Sequence, residues 1–478
     1  MSDLKGQVMS GLKWSVFAKL VTQIFAWVST FLVIRMLTPS DYGIITVAMV
    51  FFTMVELFTV YGLNAVIVKE QKRNSALSSQ IFSLSIYLNI VLSSIMFLLA
   101  PYISVLYDNV ALINVIYLLA VLNPIASLIV VPAAHLQMEM RFKERGLVEM
   151  IAGLVGAFLA FIFASLGYGY WSLIYANIGI IICRVAGYNY YAKSSYSFTL
   201  NFKGSFKNIK YALNLQMASL VWFIYNKADV AIVGKYLGLE RLGVYSIATE
   251  ISSIPMSKVG SILNEVGFAA FTKTKDNIEL GKLYVIKSLR LISVVAFPVF
   301  FGISAVSIEL VDVVLGENWS DAGPIIMILC MAFPLRMMAL IFNNYANALG
   351  RSDVSLQNGL IVAVAVISGI FIGVQYSLEG LAVGWVVGFI ISFFIVLLRN
   401  VIKFKLPYSC FYVFLPSLIV SAVMWIVIMY SIGWFVVTLS LTGTLVIMGI
   451  KIMIGVFVAL PILGLIYGKE IISLLKSK

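Results

Sequence analysis

Six basic side chains, Lys19, Arg184, Lys227, Lys258, Arg336 and Lys451, stand inside apolar runs long enough to cross a bilayer. Three acids share that setting: Glu56, Asp229 and Glu250. A Lys or Arg at mid-bilayer costs about 2.5–3.5 kcal/mol even on the most forgiving insertion scale, so such charges face a hydrated cavity or a partner. Three acids cannot neutralise six bases, and the expected interior carries excess positive potential. In a partly dehydrated cavity that potential attracts anions strongly. An Arg guanidinium, moreover, fits phosphate oxygens two at a time. Lys19, Lys227, Lys258 and Arg336 form the expected anion-binding set. Arg184, Asn343 and Asn344 are secondary candidates for the same cavity, and Lys451 reads first as a packing residue. Glu56, Asp229 and Glu250 are candidates for ion coupling or for salt bridges with the cations, and both readings stay open. Trp14, Trp171, Trp222, Trp319 and Tyr345 offer rings that stack on sugars or anchor at the membrane interface.

The elements that must position these residues follow from the hydropathy. Of 478 residues, 62% are hydrophobic and 11% charged, against about a quarter charged in soluble domains. About fourteen runs reach the length that spans a bilayer. Their expected bounds are 12–37, 42–67, 77–100, 111–134, 146–166, 169–191, 210–235, 243–268, 284–308, 324–348, 357–376, 379–398, 409–431 and 442–467. The class is an all-α polytopic membrane protein with no room for a soluble domain. The first run is too long for a signal-peptide core and is expected to remain as a helix. Lys and Arg gather before the first run and after each even-numbered one, as at Lys69, Lys72, Arg73, Arg141, Lys143, Arg145, Arg399, Lys403 and Lys405. Opposite loops hold mostly acids, namely Asp108, Glu309, Asp312, Glu317, Asp321 and Glu379. By the positive-inside rule both termini are cytoplasmic, which requires an even number of spans. The net charge of +12 is therefore a topology and lipid-headgroup signal, not a nucleic-acid surface.

The chain repeats itself at an offset of about 200. Leu37-Thr-Pro-Ser-Asp-Tyr-Gly43 aligns with Leu237-Gly-Leu-Glu-Arg-Leu-Gly243, and Asn64 with Asn264. A slightly larger offset pairs Pro124 and Arg141 with Pro334 and Arg351. The order of these matches predicts two six-helix lobes, 1–200 and 201–405, followed by two appended helices in 406–478. Six is even, so the lobes share one orientation, and a substrate path is expected between them. Pro124, Pro132, Pro255, Pro298 and Pro334 are the expected helix interruptions. Cys183, Cys330 and Cys410 have no metal-ligand spacing and read as apolar fillers, and His135 reads as a helix-end polar residue. No phosphate-binding P-loop, zinc-protease motif or nucleophile elbow occurs. No catalytic residue, metal or cofactor is expected. An enzyme built on the outer acids Glu309, Asp312, Glu317 and Asp321 is the alternative from another class.

Gly11-Leu-Lys-Trp-Ser15, the Leu37–Gly43 turn, Ile254-Pro-Met-Ser-Lys258 and Leu315-Gly-Glu-Asn-Trp319 together resemble the Wzx-type polysaccharide flippases, most nearly their colanic-acid exporter branch. These belong to the multidrug/oligosaccharidyl-lipid/polysaccharide superfamily. The chain departs from them at Phe268-Ala-Ala-Phe271, where a Phe-Pro pair is usual. The resemblance implies a V-shaped two-lobe fold resembling multidrug and toxin extruders. It further implies an undecaprenyl-diphosphate-linked oligosaccharide as substrate, flipped from the cytoplasmic to the periplasmic leaflet of a bacterial inner membrane and passed on to a polysaccharide polymerase machinery. A monomer suffices, since two lobes already form a path. An inside-negative potential of 100 mV favours outward movement of a doubly charged head by about 4–5 kcal/mol. Two relatives of this reading remain: a H⁺- or Na⁺-coupled exporter of drugs or metabolites, and a flippase for the peptidoglycan lipid precursor.

Overall fold

A computed structural model describes residues 29–58, 62–70, 72–201, 206–273, 277–439 and 443–476. Within these, the side chains at 62, 206–219, 221, 222, 225, 259, 261–270, 273, 432–439 and 468–476 are not described. Every regular element among the described residues is helical. Two compact units divide the chain, Met1–Gly243 and Val244–Lys478. The first unit holds α1 (described over Ser29–Met36), α2 (Pro39–Glu56), α3 (Gly62–Lys69), α4 (Ser75–Leu106), α5 (Ala111–Ala126), α6 (Val130–Met138), α7 (Phe142–Ser165), α8 (Trp171–Ala192) and the start of α9 (Phe206–Lys273). The second holds the rest of α9, then α10 (Ile278–Val314), α11 (Ala322–Cys330), α12 (Phe333–Ala348), α13 (Ser352–Gly373), α14 (Leu378–Phe404), α15 (Leu415–Leu439) and α16 (Thr444–Lys476).

Among the described residues, nine helices are long and apolar enough to cross a membrane, or up to eleven if each bent pair counts as one span. The differences from the expected bounds have local causes. Thr38 caps α2 by accepting from Asp41 N, while the Asp41 carboxylate accepts from Thr38 N, with Pro39 in the first turn. That capping box starts α2 at an angle of 119° to α1. Within the expected span 42–67, α2 and α3 are described, and residues 59–61 lie outside the described residues. Spans 210–235 and 243–268 run together as α9, broken at Gly238, where φ is 83°. Pro124 lies in the last turn of α5 before a 3₁₀ turn, and Pro334 opens α12 after a 45° bend from α11. Pro255 and Pro298, by contrast, sit inside helices that continue through them. Helix α10 extends to Val314, so Glu309 and Asp312, expected in an outer loop, are helical.

The duplicated turns meet each other reciprocally. A Cβ on Gly43 would stand 1.9 Å from Leu239 O, and one on Gly243 would stand 1.8 Å from Pro39 O. Each glycine thus admits the backbone of the other repeat, as small residues do at helix crossings in lipid. A second close seam fixes α13 on α14. There Gly369 and Gly373 face Gly384 and Gly380, with would-be Cβ atoms within 2.1–2.8 Å of opposing carbonyl oxygens.

Outside the apolar spans, Arg73 bonds Glu139 and donates to Ala192 O at 2.9 Å, while Arg141 donates to Tyr191 O at 3.0 Å and pairs with Glu144. Two guanidinium groups therefore satisfy the orphan carbonyls that end α8. The hydrogen bond from Arg73 is the main cause that holds the Glu139 carboxyl below its usual range. A lowered folded-state pKa stabilises above the unfolded value, and that contribution is lost as pH falls through the lowered one. We expect the melting temperature of the purified protein to drop on acidification below the usual carboxylate range, with a smaller drop in Glu139→Gln. Gly43→Val, which drives a side chain into a backbone, is expected to cost more than about 1–3 kcal/mol, read as a lower melting temperature in detergent.

Candidate functional site

Helix α12 is the best-enclosed helix carrying one of the expected cations. Its buried residues include Phe333, Met337, Met338, Ile341, Phe342, Tyr345 and Ala346. Beyond its first turn, the residues that retain appreciable surface are Arg336, Ala339, Leu340, Asn343, Asn344 and Asn347. They recur at three-, four- and seven-residue spacings, so they form one stripe along the helix. This stripe is polar, with a guanidinium near its start and three amides at its end. The neighbouring helices behave differently. α13 exposes Leu360, Val364 and Ile372, and α14 exposes Val383, Val387, Ile391 and Leu398. Those faces suit lipid. No large apolar residue of α12 is exposed, and its open face cannot meet hydrocarbon without stranding Arg336 and the amides. Such a face suits hydrated space better than lipid.

Arg336 is held by rings. Phe300, Phe333, Trp385 and Phe389 stack in sequence at centroid separations of 5.5, 5.7 and 5.5 Å. The Arg336 Cζ stands 5.5 Å from both the Phe333 and the Trp385 centroids. Cation–π contact of this kind is worth about 0.5–2 kcal/mol, and it helps fix the guanidinium in place. Asn343, two turns further on, accepts from Asn358 Nδ2 at 3.2 Å. Both expected stacking residues in this unit are enclosed: Trp319 is fully buried and Tyr345 is 1% exposed against Phe271 and Phe404. They are core residues, since a ring without free faces cannot stack on a sugar. Trp171 is half-buried and packs against Tyr170 and Tyr175.

Lys451, which reads first as a packing residue, and Arg184, a secondary cavity candidate, both have carboxylate partners. Lys451 is 4% exposed, with Nζ 2.7 Å from Glu309 Oε1 and 3.0 Å from Ala305 O. Glu309 is thus a helical partner that ties α16 to α10, not an outer-loop acid. Arg184 lies 2.7 Å from Glu149 Oε2, and Tyr188 donates to the other carboxylate oxygen at 2.7 Å. Glu56 stands close enough to Arg184 and Glu149 for their charges to act on it. With Glu149 and Glu309 counted, the positive excess narrows to fewer sites than six. Lys227 in the first unit and Lys258 in the second are exposed, as is Glu250; Asp229 is half-buried and takes a bond from Val230 N at 2.8 Å. Leu340, on the open stripe, approaches Gly260, one helical turn or less from Lys258 along α9. Lys19, with Trp14, lies outside the described residues, as does the Trp222 side chain.

Residues 32–324 match the family described as polysaccharide biosynthesis protein. The chain belongs to this family. It is 24% identical over 386 residues to the lipopolysaccharide biosynthesis protein WzxC of Escherichia coli, covering 78% of this chain and 77% of that one. It is 23% identical over 368 residues to the succinoglycan biosynthesis transport protein ExoT of Rhizobium meliloti, covering 77% and 74%. In structure it is similar to the lipid II flippase MurJ in an inward closed conformation, with a TM-score of 0.78 at 15% identity over 96% of this chain and 99% of the other. The fold is thus that of a multi-pass membrane protein. Lys451→Met alone is expected to strand the Glu309 carboxylate and cost about 3–5 kcal/mol, whereas Lys451→Met with Glu309→Leu recovers most of the loss. Thermal unfolding of the two variants in detergent checks this.

Proposed function

We propose that this protein is a flippase for an undecaprenyl-diphosphate-linked oligosaccharide, without enzymatic activity of its own. The observation that carries the reading is the open face of α12. It is polar, it is centred on a ring-held guanidinium, and it stands in a unit whose other open helical faces include the apolar ones of α13 and α14. A diphosphate is the anion that a guanidinium fork and nearby Lys ammonium groups bind best. Membership of the polysaccharide biosynthesis family and similarity to a protein named a lipid II flippase support a lipid-linked saccharide as cargo. In this reading Lys19, Lys227, Lys258 and Arg336 bind the diphosphate, and Asn343 and Asn344 line the same cavity.

The protein works as a monomer in a bacterial inner membrane with both termini cytoplasmic. Two lobes, 1–200 and 201–405, alternate access to the two leaflets, and 406–478 is appended. The reciprocal packing of Gly43 and Gly243 on Leu239 and Pro39 supports the duplication. So do Arg141 and Arg351, which both stand at helix N-caps, before α7 and α13. An inside-negative potential drives the anionic head outward by about 2.3 kcal/mol per charge per 100 mV. An outer-loop enzyme loses support because Glu309 is bound to Lys451 inside the membrane span.

The test is leaflet transfer of a fluorescent undecaprenyl-diphosphate oligosaccharide in proteoliposomes under an imposed potential. Each charge-assisted contact is worth about 1.5–3 kcal/mol. Arg336→Ala with Lys258→Ala is therefore expected to slow transfer by about a hundredfold or more while the protein stays monodisperse. Exchange of H⁺ or Na⁺ for a soluble compound, with no lipid transfer by the wild type, would replace this reading with a coupled exporter.

A further inference from the structure

Behind the amide end of the α12 stripe lies a chain of hydrogen bonds whose polarity is set by one arginine. Arg399, on α14, donates from Nη1 to Asn358 Oδ1 at 2.5 Å and to Val354 O at 3.4 Å, and from Nη2 to Gln357 Oε1. Asn400 Nδ2 donates to the same Asn358 oxygen at 3.3 Å and to Val396 O at 2.7 Å. Asn358 is 1% exposed and Asn400 fully buried. Asn358 in turn donates from Nδ2 to Asn343 Oδ1 at 3.2 Å.

An amide has two faces, and which atom is oxygen must be argued from its partners. Here the partners settle it. Arg is a donor only, so the Asn358 atom that meets Arg399 is its carbonyl oxygen. The other end of Asn358 is then NH2, a donor, so the Asn343 atom that meets it is also a carbonyl oxygen. Asn343 therefore keeps its NH2 for the open face of α12. Its donor character is polarised by the chain behind it and by a guanidinium charge two bonds away.

Resting on the flippase reading above, we infer that Asn343 is a specificity-determining residue for the saccharide. It is a fixed hydrogen-bond donor that selects an acceptor oxygen on the sugars nearest the diphosphate. Asn358 and Arg399 are positioning residues that keep it a donor. Arg336 and Asn343 are seven residues apart, about 10.5 Å along the helix, on the same stripe. A diphosphate on the guanidinium and the sugars joined to it span that distance. Asn344 and Asn347 extend the same ledge by a further turn.

The experiment compares two probes in proteoliposomes. One is the lipid-linked saccharide fraction extracted from the native host, and the other is sugar-free undecaprenyl diphosphate. The readout is the ratio of their transfer rates. Loss of one neutral hydrogen bond is worth about two- to tenfold, so Asn343→Ala is expected to lower the ratio by that factor. Asn343→Asp, which keeps the shape and offers an acceptor, is expected to lower it at least as far. Asn358→Asp is the decisive variant. Its new carboxylate pairs with Arg399, takes the NH2 of Asn343, and turns the Asn343 oxygen outward. The ratio should fall as in Asn343→Asp although position 358 is buried away from any ligand. If Asn343→Ala and Asn358→Asp change both rates alike, or neither, the saccharide inference is overturned and Asn343 serves the diphosphate or packing. If the wild type moves neither lipid, the flippase reading itself fails.

Discussion

Hydrocarbon cannot solvate a charge, and every ionisable group within the spans of this protein must be housed against that fact. Three described arrangements meet it. Lys451 and Glu309 form a buried pair that ties an appended helix to α10. Arg184 and Glu149 pair at 2.7 Å and share a tyrosine hydroxyl. Arg336 instead lies over aromatic faces and on the open side of its helix. The first two arrangements neutralise charge and cost a carboxylate each. Lys451 and Arg184 are thereby charges that hold helices together.

Presenting Arg336 and Asn343 on one stripe demands that α12 neither rotate nor slide. Its remaining faces are filled by Phe333, Met337, Met338, Ile341, Phe342 and Tyr345, and dense packing resists small displacements. The stack from Phe300 to Phe389 ties α12 to α10 and α14. Helix α14 is in turn set on α13 through glycines that bring backbones into contact. The same two helices carry Asn358, Arg399 and Asn400, so the seam that fixes the scaffold also fixes the polarity of the site's amide. Sequence, packing and ligand preference meet in these few residues.

The membrane class, the intramembrane charges and the duplicated turns at 37–43 and 237–243 were legible in the sequence because each is a local pattern. Partners across helices were not. Glu309 read as an outer-loop acid because hydropathy places helix ends by composition, whereas α10 extends to Val314 and carries Glu309 inside its span. Asn343, Asn344 and Asn347 were visible as a cluster, and their alignment with Arg336 at helical spacing was available from the sequence but has meaning only once the other faces of α12 are filled. Trp319 and Tyr345 read as sugar platforms by residue type, and burial reverses that. The Gly-x-x-x-Gly spacings at 369–373 and 380–388 carried a packing signal that a search for charges passes over.

The central claim is that the α12 stripe faces water within the membrane and contacts the anionic head of the substrate. Single cysteines at 336, 339, 340, 343 and 347, in a background lacking Cys183, Cys330 and Cys410, can be probed in proteoliposomes with a charged, membrane-impermeant thiol reagent. Val364 and Ile372 on the apolar face of α13 serve as lipid-facing controls. The account predicts modification of the α12 positions and of neither control, with undecaprenyl diphosphate protecting 339 and 340. Labelling of the α12 positions no faster than of 364 and 372 would contradict it, because the stripe would then lie in lipid or in a closed core.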